Sequence, residues 1–224
     1  MKTLIKICGL KTLEAVDRAV SNGASHIGFI FFPKSPRHIE PADAAVLANA
    51  VRGRVKIVAV TVDADSDQLD EIVDTVKPDV LQLHGDESPE KVLTVKAVYG
   101  LPVMKAFSIR DADDLKRIDA YMGIADTFLF DAKPPKGSDL PGGNGVSFDW
   151  RLLAGLDSDI EYMLSGGLNA GNIDEALTVS GARALDVSSG VESQPGVKDL
   201  GLMDEFFQAV RVSEIAKTGA GAKP

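Results

Sequence analysis

Thr3-Leu-Ile-Lys-Ile-Cys-Gly9 reads as a strand whose side chains alternate between two faces. Leu4, Lys6 and Cys8 share one face, and Ile5 and Ile7 share the other. A lysine and a thiol on one face, stopped by a glycine, are odd chemistry for a packed core. They suit the mouth of a barrel, where reactive groups sit at the C-terminal ends of strands. Outward from this stretch, short β-branched runs alternate with longer amphipathic ones. Strands are predicted at 4–8, 25–31, 56–62, 80–84, 103–107, 127–131, 162–165 and 184–187. Helices are predicted at 12–22, from 41, 66–76, from 88, 111–122, briefly from 149, 169–180 and 200–216. Eight strand–helix pairs in order place the chain in the α/β class and imply a parallel sheet closed into a single (β/α)8 TIM barrel. An open doubly wound sheet is the structural rival. One catalytic domain is expected over residues 1–217, with a small, polar, disordered tail at 218–224.

Composition narrows the function. Of 224 residues, 45% are hydrophobic, enough for a substantial core, and no apolar run reaches the length of a membrane span. The N-terminus enters a strand directly and lacks the apolar stretch of a signal peptide. One cysteine makes no internal disulfide, so a reducing cytoplasm is the expected compartment. A formal net charge of −9 argues against nucleic acid but leaves room for a small anionic substrate. With one cysteine and His26, His38 and His84 scattered, zinc spacing is absent, and no glycine-rich nucleotide fingerprint occurs.

The strand ends carry the candidates. Cys8 would be a usable base or nucleophile if the Lys6 ammonium favours its thiolate; otherwise it is a small buried hydrophobe. Asp131 ends the apolar run Phe128-Leu-Phe-Asp131, where partial desolvation would let it donate a proton near neutrality; a loop cap is the alternative. Arg37, in Lys34-Ser-Pro-Arg-His38, can bind a carboxylate bidentately or form a surface ion pair. His84 shares a face with Gln82, and a hydrogen-bonded structural role is favoured for it. The strongest signal is the pair Leu164-Ser-Gly-Gly-Leu168 and Asp186-Val-Ser-Ser-Gly-Val-Glu192, the latter leading through Pro195-Gly196 towards Lys198. Such glycines let backbone amides approach a phosphate, and barrels place phosphate after strands 7 and 8. Gly142-Gly143-Asn144-Gly145 can add amides or act as a lid.

Assembled, these stretches closely resemble the phosphoribosylanthranilate isomerase family over nearly the whole chain. The resemblance rests on Lys6-Ile-Cys-Gly9, Ser35-Pro-Arg37, Leu81-Gln-Leu-His-Gly85, Leu129-Phe-Asp131, Ser165-Gly-Gly-Leu168 and Asp186–Glu192, in order. It implies an Amadori rearrangement of N-(5-phosphoribosyl)anthranilate, with Asp131 as general acid opening the furanose ring and Cys8 as general base removing the C2′ proton. It likewise implies that Arg37 meets the anthranilate moiety and that Gly166, Gly167, Ser189 and Gly190 grip the phosphate. His84, Gly142, Gly143 and Asp186 complete the expected substrate-binding set. No metal or organic cofactor is expected, and the partner is a small phosphorylated substrate, without nucleic acid or membrane, for a monomer or homodimer. The chain departs from frequent family residues at Asn144 and Val146, at Ala170, and along Val60-Thr-Val-Asp63. Indole-glycerol-phosphate synthase would use a lysine acid, and a histidine-pathway isomerase an aspartate where Cys8 stands. A binding-only barrel would lack the acid or the base.

Overall fold

A computed structural model describes residues 2–133, 142, 143, 145, 147–157 and 159–220. Eight parallel strands close on themselves in sequence order: β1 (Leu4–Cys8), β2 (His26–Phe31), β3 (Lys56–Thr61), β4 (Val80–Leu83), β5 (Val103–Ile109), β6 (Thr127–Ala132), β7 (Tyr162–Leu164) and β8 (Ala184–Val187). The sheet is therefore the barrel and not the open alternative. Around it lie α1 (Leu13–Asn22), α2 (Pro41–Val51), α3 (Ser66–Val76), α4 (Pro89–Tyr99), α5 (Ala112–Lys116) and α6 (Ile173–Ser180). A short antiparallel hairpin, β9 (Glu192–Gln194) with β10 (Val197–Lys198), precedes α7 (Leu200–Ala220). Among the described residues no helix is long and apolar enough to cross a membrane.

Local chemistry starts and stops these helices. Thr12 accepts from the Ala15 amide to begin α1, and Asp65 and Gln68 cap α3 reciprocally. Ser88 accepts from the Lys91 amide just ahead of Pro89 in α4. Each strand then sends alternate residues to two different cores. The outward set, including Ile7, Phe29, Ile57 and Leu185, packs under the helices. Inside, Met104, Ala106, Leu129, Met163 and Ala184 form an apolar floor, and Cys8, Val58 and Val60 form a second small cluster. Polar groups are thereby left to the C-terminal end of the barrel.

Several elements differ from the sequence expectation. The stretch 111–122 is one α-turn followed by a 3-10 segment, Arg117–Tyr121. Leu115, Ile118 and Tyr121 are all buried, and a spacing of three favours the tighter helix. The stretch from Trp150 is likewise a 3-10 segment, ending at Gly155. The helix expected from 169 begins only at Ile173, because Asn169 and Asn172 turn their side chains back onto backbone amides. The hairpin of β9 and β10 is an addition. The last helix continues to Ala220, and residues 221–224, where most of the expected tail falls, lie outside the described residues.

One buried ion pair outside the barrel wall supports the mouth. Lys105 of β5 donates to Glu87 (3.0 Å) and to the Gly85 carbonyl (2.7 Å). Glu87 accepts in turn from the amides of Asp63 and Gly85 (both 3.0 Å), tying together the loops after β3 and β4.

Candidate active site

The C-terminal end of the barrel opens into a cleft. Cys8, Arg37, His84, Asp131 and Asp186 line it, together with the glycine-rich turns after β6, β7 and β8. The expected catalytic and substrate-binding residues thus meet in one place, whereas Lys6 and Lys198 do not line the cleft. Asn144 and Val146, where the chain departs from frequent family residues, lie outside the described residues.

Closure of the barrel between β8 and β1 makes Lys6 and Asp186 register partners. Lys6 Nζ lies 2.8 Å from Asp186 Oδ1 with no solvent exposure, and Ser165 Oγ donates to Asp186 Oδ2 at 3.3 Å. Cys8 stands above this pair. Its register partner on β2 is Gly28, where a β-carbon would sit 3.0 Å from Cys8 Sγ and 3.1 Å from Lys6 Nζ. The missing side chain makes room for thiol and ammonium side by side.

Burial pushes the Cys8 thiol up; Lys6 pulls it down and Asp186 pushes it up again, and the net direction is upward. Lys6 thus acts in the direction its place on the same strand face suggests, favouring the thiolate, but burial opposes it more strongly. Lys6 is fully buried and already paired with Asp186, so its field does not outweigh desolvation. For Lys6 itself burial acts downward, yet Asp186 and Cys8 together raise it. Lys6→Met is therefore expected to move the pH midpoint of Cys8 alkylation by iodoacetamide further upward, since it removes the attraction and leaves Asp186 unpaired. An unchanged alkylation profile would show that Lys6 does not act on the thiol.

Asp131, next to last in β6, presents two distinct oxygens. Oδ1 accepts from the Ala132 amide at 2.8 Å, and Oδ2 lies 3.6 Å from His84 Nε2, beyond hydrogen-bond distance. Gln82 Nε2 lies 2.9 Å from His84 Nδ1, and with the amide in this orientation it donates there. The other ring nitrogen, Nε2, is buried, has no hydrogen-bond partner among the described residues and faces the Asp131 carboxyl. His84 is thus structural through one nitrogen and directed at the site through the other.

Arg37 is buried, not a surface group, and the carboxylate it grips bidentately is the chain's own Glu192: Nε to Oε1 and NH2 to Oε2, both 2.8 Å. NH2 also donates to the Gly143 carbonyl at 3.2 Å. Gly166, Gly167, Ser189 and Gly190 lie in the same cleft, and the position of a β-carbon on Gly190 is taken by the Leu168 carbonyl. The turns after β7 and β8 are therefore packed backbone against backbone. Sequence reasoning missed Gln82, Ser165, Glu192 and Lys198 as supports of the site; Glu192 and Lys198 could have been flagged only as charges inside a glycine-rich stretch.

Residues 5–209 match the family described as N-(5′-phosphoribosyl)anthranilate (PRA) isomerase. The chain is 72% identical to the N-(5′-phosphoribosyl)anthranilate isomerase of Sinorhizobium fredii over 223 residues, covering all of both proteins. It is also 72% identical to that of Rhizobium meliloti, over 96% of this chain and all of the relative. Among solved structures, phosphoribosyl anthranilate isomerase from Thermotoga maritima superposes with a TM-score of 0.83 at 32% identity, over 94% of this chain and 99% of the other. A phosphoribosyl anthranilate isomerase in complex with reduced 1-(o-carboxyphenylamino)-1-deoxyribulose 5-phosphate gives 0.81 at 31%, with the same coverage. With a closed eight-stranded barrel, an acid and a thiol at its mouth and a match along nearly its whole length, the chain belongs to the N-(5′-phosphoribosyl)anthranilate isomerase family.

Proposed function

We propose that Cys8 and Asp131 are the base and acid of the reaction this isomerase performs in tryptophan biosynthesis, the Amadori rearrangement of N-(5-phosphoribosyl)anthranilate. The observation that carries the assignment is that a thiol ending β1 and a carboxyl next to last in β6 line one cleft with the glycine-rich turns after β7 and β8. In this reading Asp131 gives its proton to the furanose ring oxygen. The C1′–O bond breaks, and the nitrogen lone pair completes a Schiff base. Cys8, in the thiolate form that Lys6 favours and burial makes scarcer, then takes the C2′ proton, and the electron pair left behind gives an enolamine. Tautomerisation to the C2′ ketone yields 1-(2-carboxyphenylamino)-1-deoxyribulose 5-phosphate. The step is internally balanced, C1′ being reduced as C2′ is oxidised, so acid–base groups suffice.

The two charged ends of the substrate suit the two sides of this chemistry. Backbone amides of Gly166, Gly167, Ser189 and Gly190 would take the phosphate, and Arg37 would take the ring carboxyl. Gly142 and Gly143 lie beside Asp131 and Arg37 respectively, in position to close over the bound sugar. A reducing compartment, the cytoplasm, fits a reaction that depends on a free thiol, and the chain would work there as a monomer or homodimer.

A fluorescence assay with freshly prepared phosphoribosylanthranilate tests the assignment. Conversion to the deoxyribulose product is expected. Tight binding without conversion would reduce the barrel to a binding protein, and neither binding nor conversion would direct attention to other sugar phosphates.

A further inference from the structure

Arg37 is held by more than one carboxylate bond. Glu192 Oε1, which accepts from Arg37 Nε, also accepts from Lys198 Nζ at 2.7 Å, and Oε2 accepts from the Gly196 amide at 3.2 Å. Lys198 Nζ reaches on to the Ser188 carbonyl at 2.9 Å, and the Ser188 hydroxyl donates to the carbonyl of Cys8 at 3.0 Å. The three charged side chains are each 4% exposed or less. Gly196, at the tip of the hairpin, has a φ of 82°, and the position of a β-carbon there is blocked by the Pro36 carbonyl. Lys11 Nζ donates to that same carbonyl at 2.8 Å. The loop bearing Arg37 is therefore gripped at its backbone and at its side chain.

The charges do not cancel. Two cations share one carboxylate, which leaves one positive charge in excess in a cluster almost closed to water, at the edge of the cleft. A buried charge of this kind is costly until an anion reaches it. Arg37 Nε and NH2 are committed, whereas NH1 lies beside Gly143 with no partner among the described residues. Glu192 orients the guanidinium without neutralising the site, because Lys198 adds an ammonium there; burial pulls that ammonium down on balance, and its bond to Glu192 acts to keep it charged.

We propose that Glu192 and Lys198 are positioning residues that present Arg37 NH1 to the substrate's ring carboxyl, so that the hairpin of β9 and β10 sets the preference for a carboxylated aromatic end. This rests on the assignment of Arg37 to that carboxyl. Burial pushes the Glu192 carboxyl up, but its bonds to Arg37 and Lys198 outweigh this and hold it below the usual carboxylate range, so it stays ionised for the task.

The test measures binding of two ligands by calorimetry: the reduced product analogue, 1-(o-carboxyphenylamino)-1-deoxyribulose 5-phosphate, and its counterpart lacking the ring carboxyl. Wild type is expected to prefer the carboxylated ligand by roughly tenfold to a hundredfold, the scale of one charge-assisted hydrogen bond. Arg37→Ala should abolish the preference. Glu192→Gln and Lys198→Met should each cut it by about tenfold while leaving the carboxyl-free ligand within about threefold. Equal weakening of both ligands, or an unchanged preference, in both of these variants would reduce the hairpin to packing and overturn the proposal. If Arg37→Ala alone loses the preference, only the roles of Glu192 and Lys198 fall. If Arg37→Ala keeps it, the assignment of Arg37 falls and the proposal with it.

Discussion

Cys8→Ala lowers kcat/KM for the isomerisation by about a hundredfold to ten-thousandfold, the contribution expected of a general base. Each tenfold corresponds to about 1.4 kcal/mol, so the thiol is asked to supply roughly 3–5 kcal/mol of barrier lowering. The loss belongs in kcat, because the contacts assigned to phosphate and carboxyl come from other strands. Folding should tolerate the change: alanine gives up the thiol's side-chain hydrogen bond with Lys6, but Lys6 keeps Asp186, and the backbone bonds stay, the Cys8 carbonyl accepting from Ser188 and the strand pairing with β2 at Gly28. Cys8→Ser is expected to be almost as impaired as alanine. Serine keeps the shape, but its hydroxyl is a far weaker acid, and the same burial that pushes the Cys8 thiol up would hold the serine protonated. The measurement is steady-state kinetics alongside titration with a phosphate-bearing product analogue. Nearly full turnover in Cys8→Ala would assign the base elsewhere.

Asp131→Asn should lose a similar factor, about a hundredfold to ten-thousandfold, and it separates two roles that one carboxyl plays. Oδ1 is a cap, accepting from the Ala132 amide at the end of β6, and an asparagine carbonyl can keep that bond. The proton for the ring oxygen cannot be kept. The asparagine NH2 would then face His84 Nε2, which the carboxyl now faces from 3.6 Å. Binding of the product analogue is expected to survive with turnover lost. Wild-type kinetics in this variant would mean that Asp131 only caps its strand and that the ring is opened by another acid.

The barrel was legible because most strands are short apolar runs, β-branched in β1 and β3, and several helices have a start signal, such as Thr12, Asp65 or Ser88. Those are local properties, and the strands fell within about two residues of their predicted ends. The residues of the cleft were legible for a related reason: in a closed parallel barrel every strand end faces the same mouth, so Cys8, His84, Asp131 and Asp186 converge without any knowledge of distances. What remained hidden was partnership. Lys6 meets Asp186 across 180 positions of sequence, and Arg37 meets Glu192 across 155, so neither the true setting of the thiol nor the burial of the arginine shows in a local pattern. The 3-10 segments escaped for the opposite reason. Their difference from an α-helix lies in a spacing of three rather than four between buried residues, which a short amphipathic stretch such as 111–122 does not resolve.

The pair of Lys105 and Glu87 has a historical consequence. Either residue lost alone strands a charge in the dry wall of the barrel, at a cost of about 3–5 kcal/mol, a large share of what keeps a domain folded. Losing both together for apolar residues of the same size costs far less, or nothing. Descendants of this chain would therefore exchange the two in one lineage or not at all, with any single-residue intermediate short-lived. The loop that follows His84 takes its shape from a pair whose two members stand or fall together.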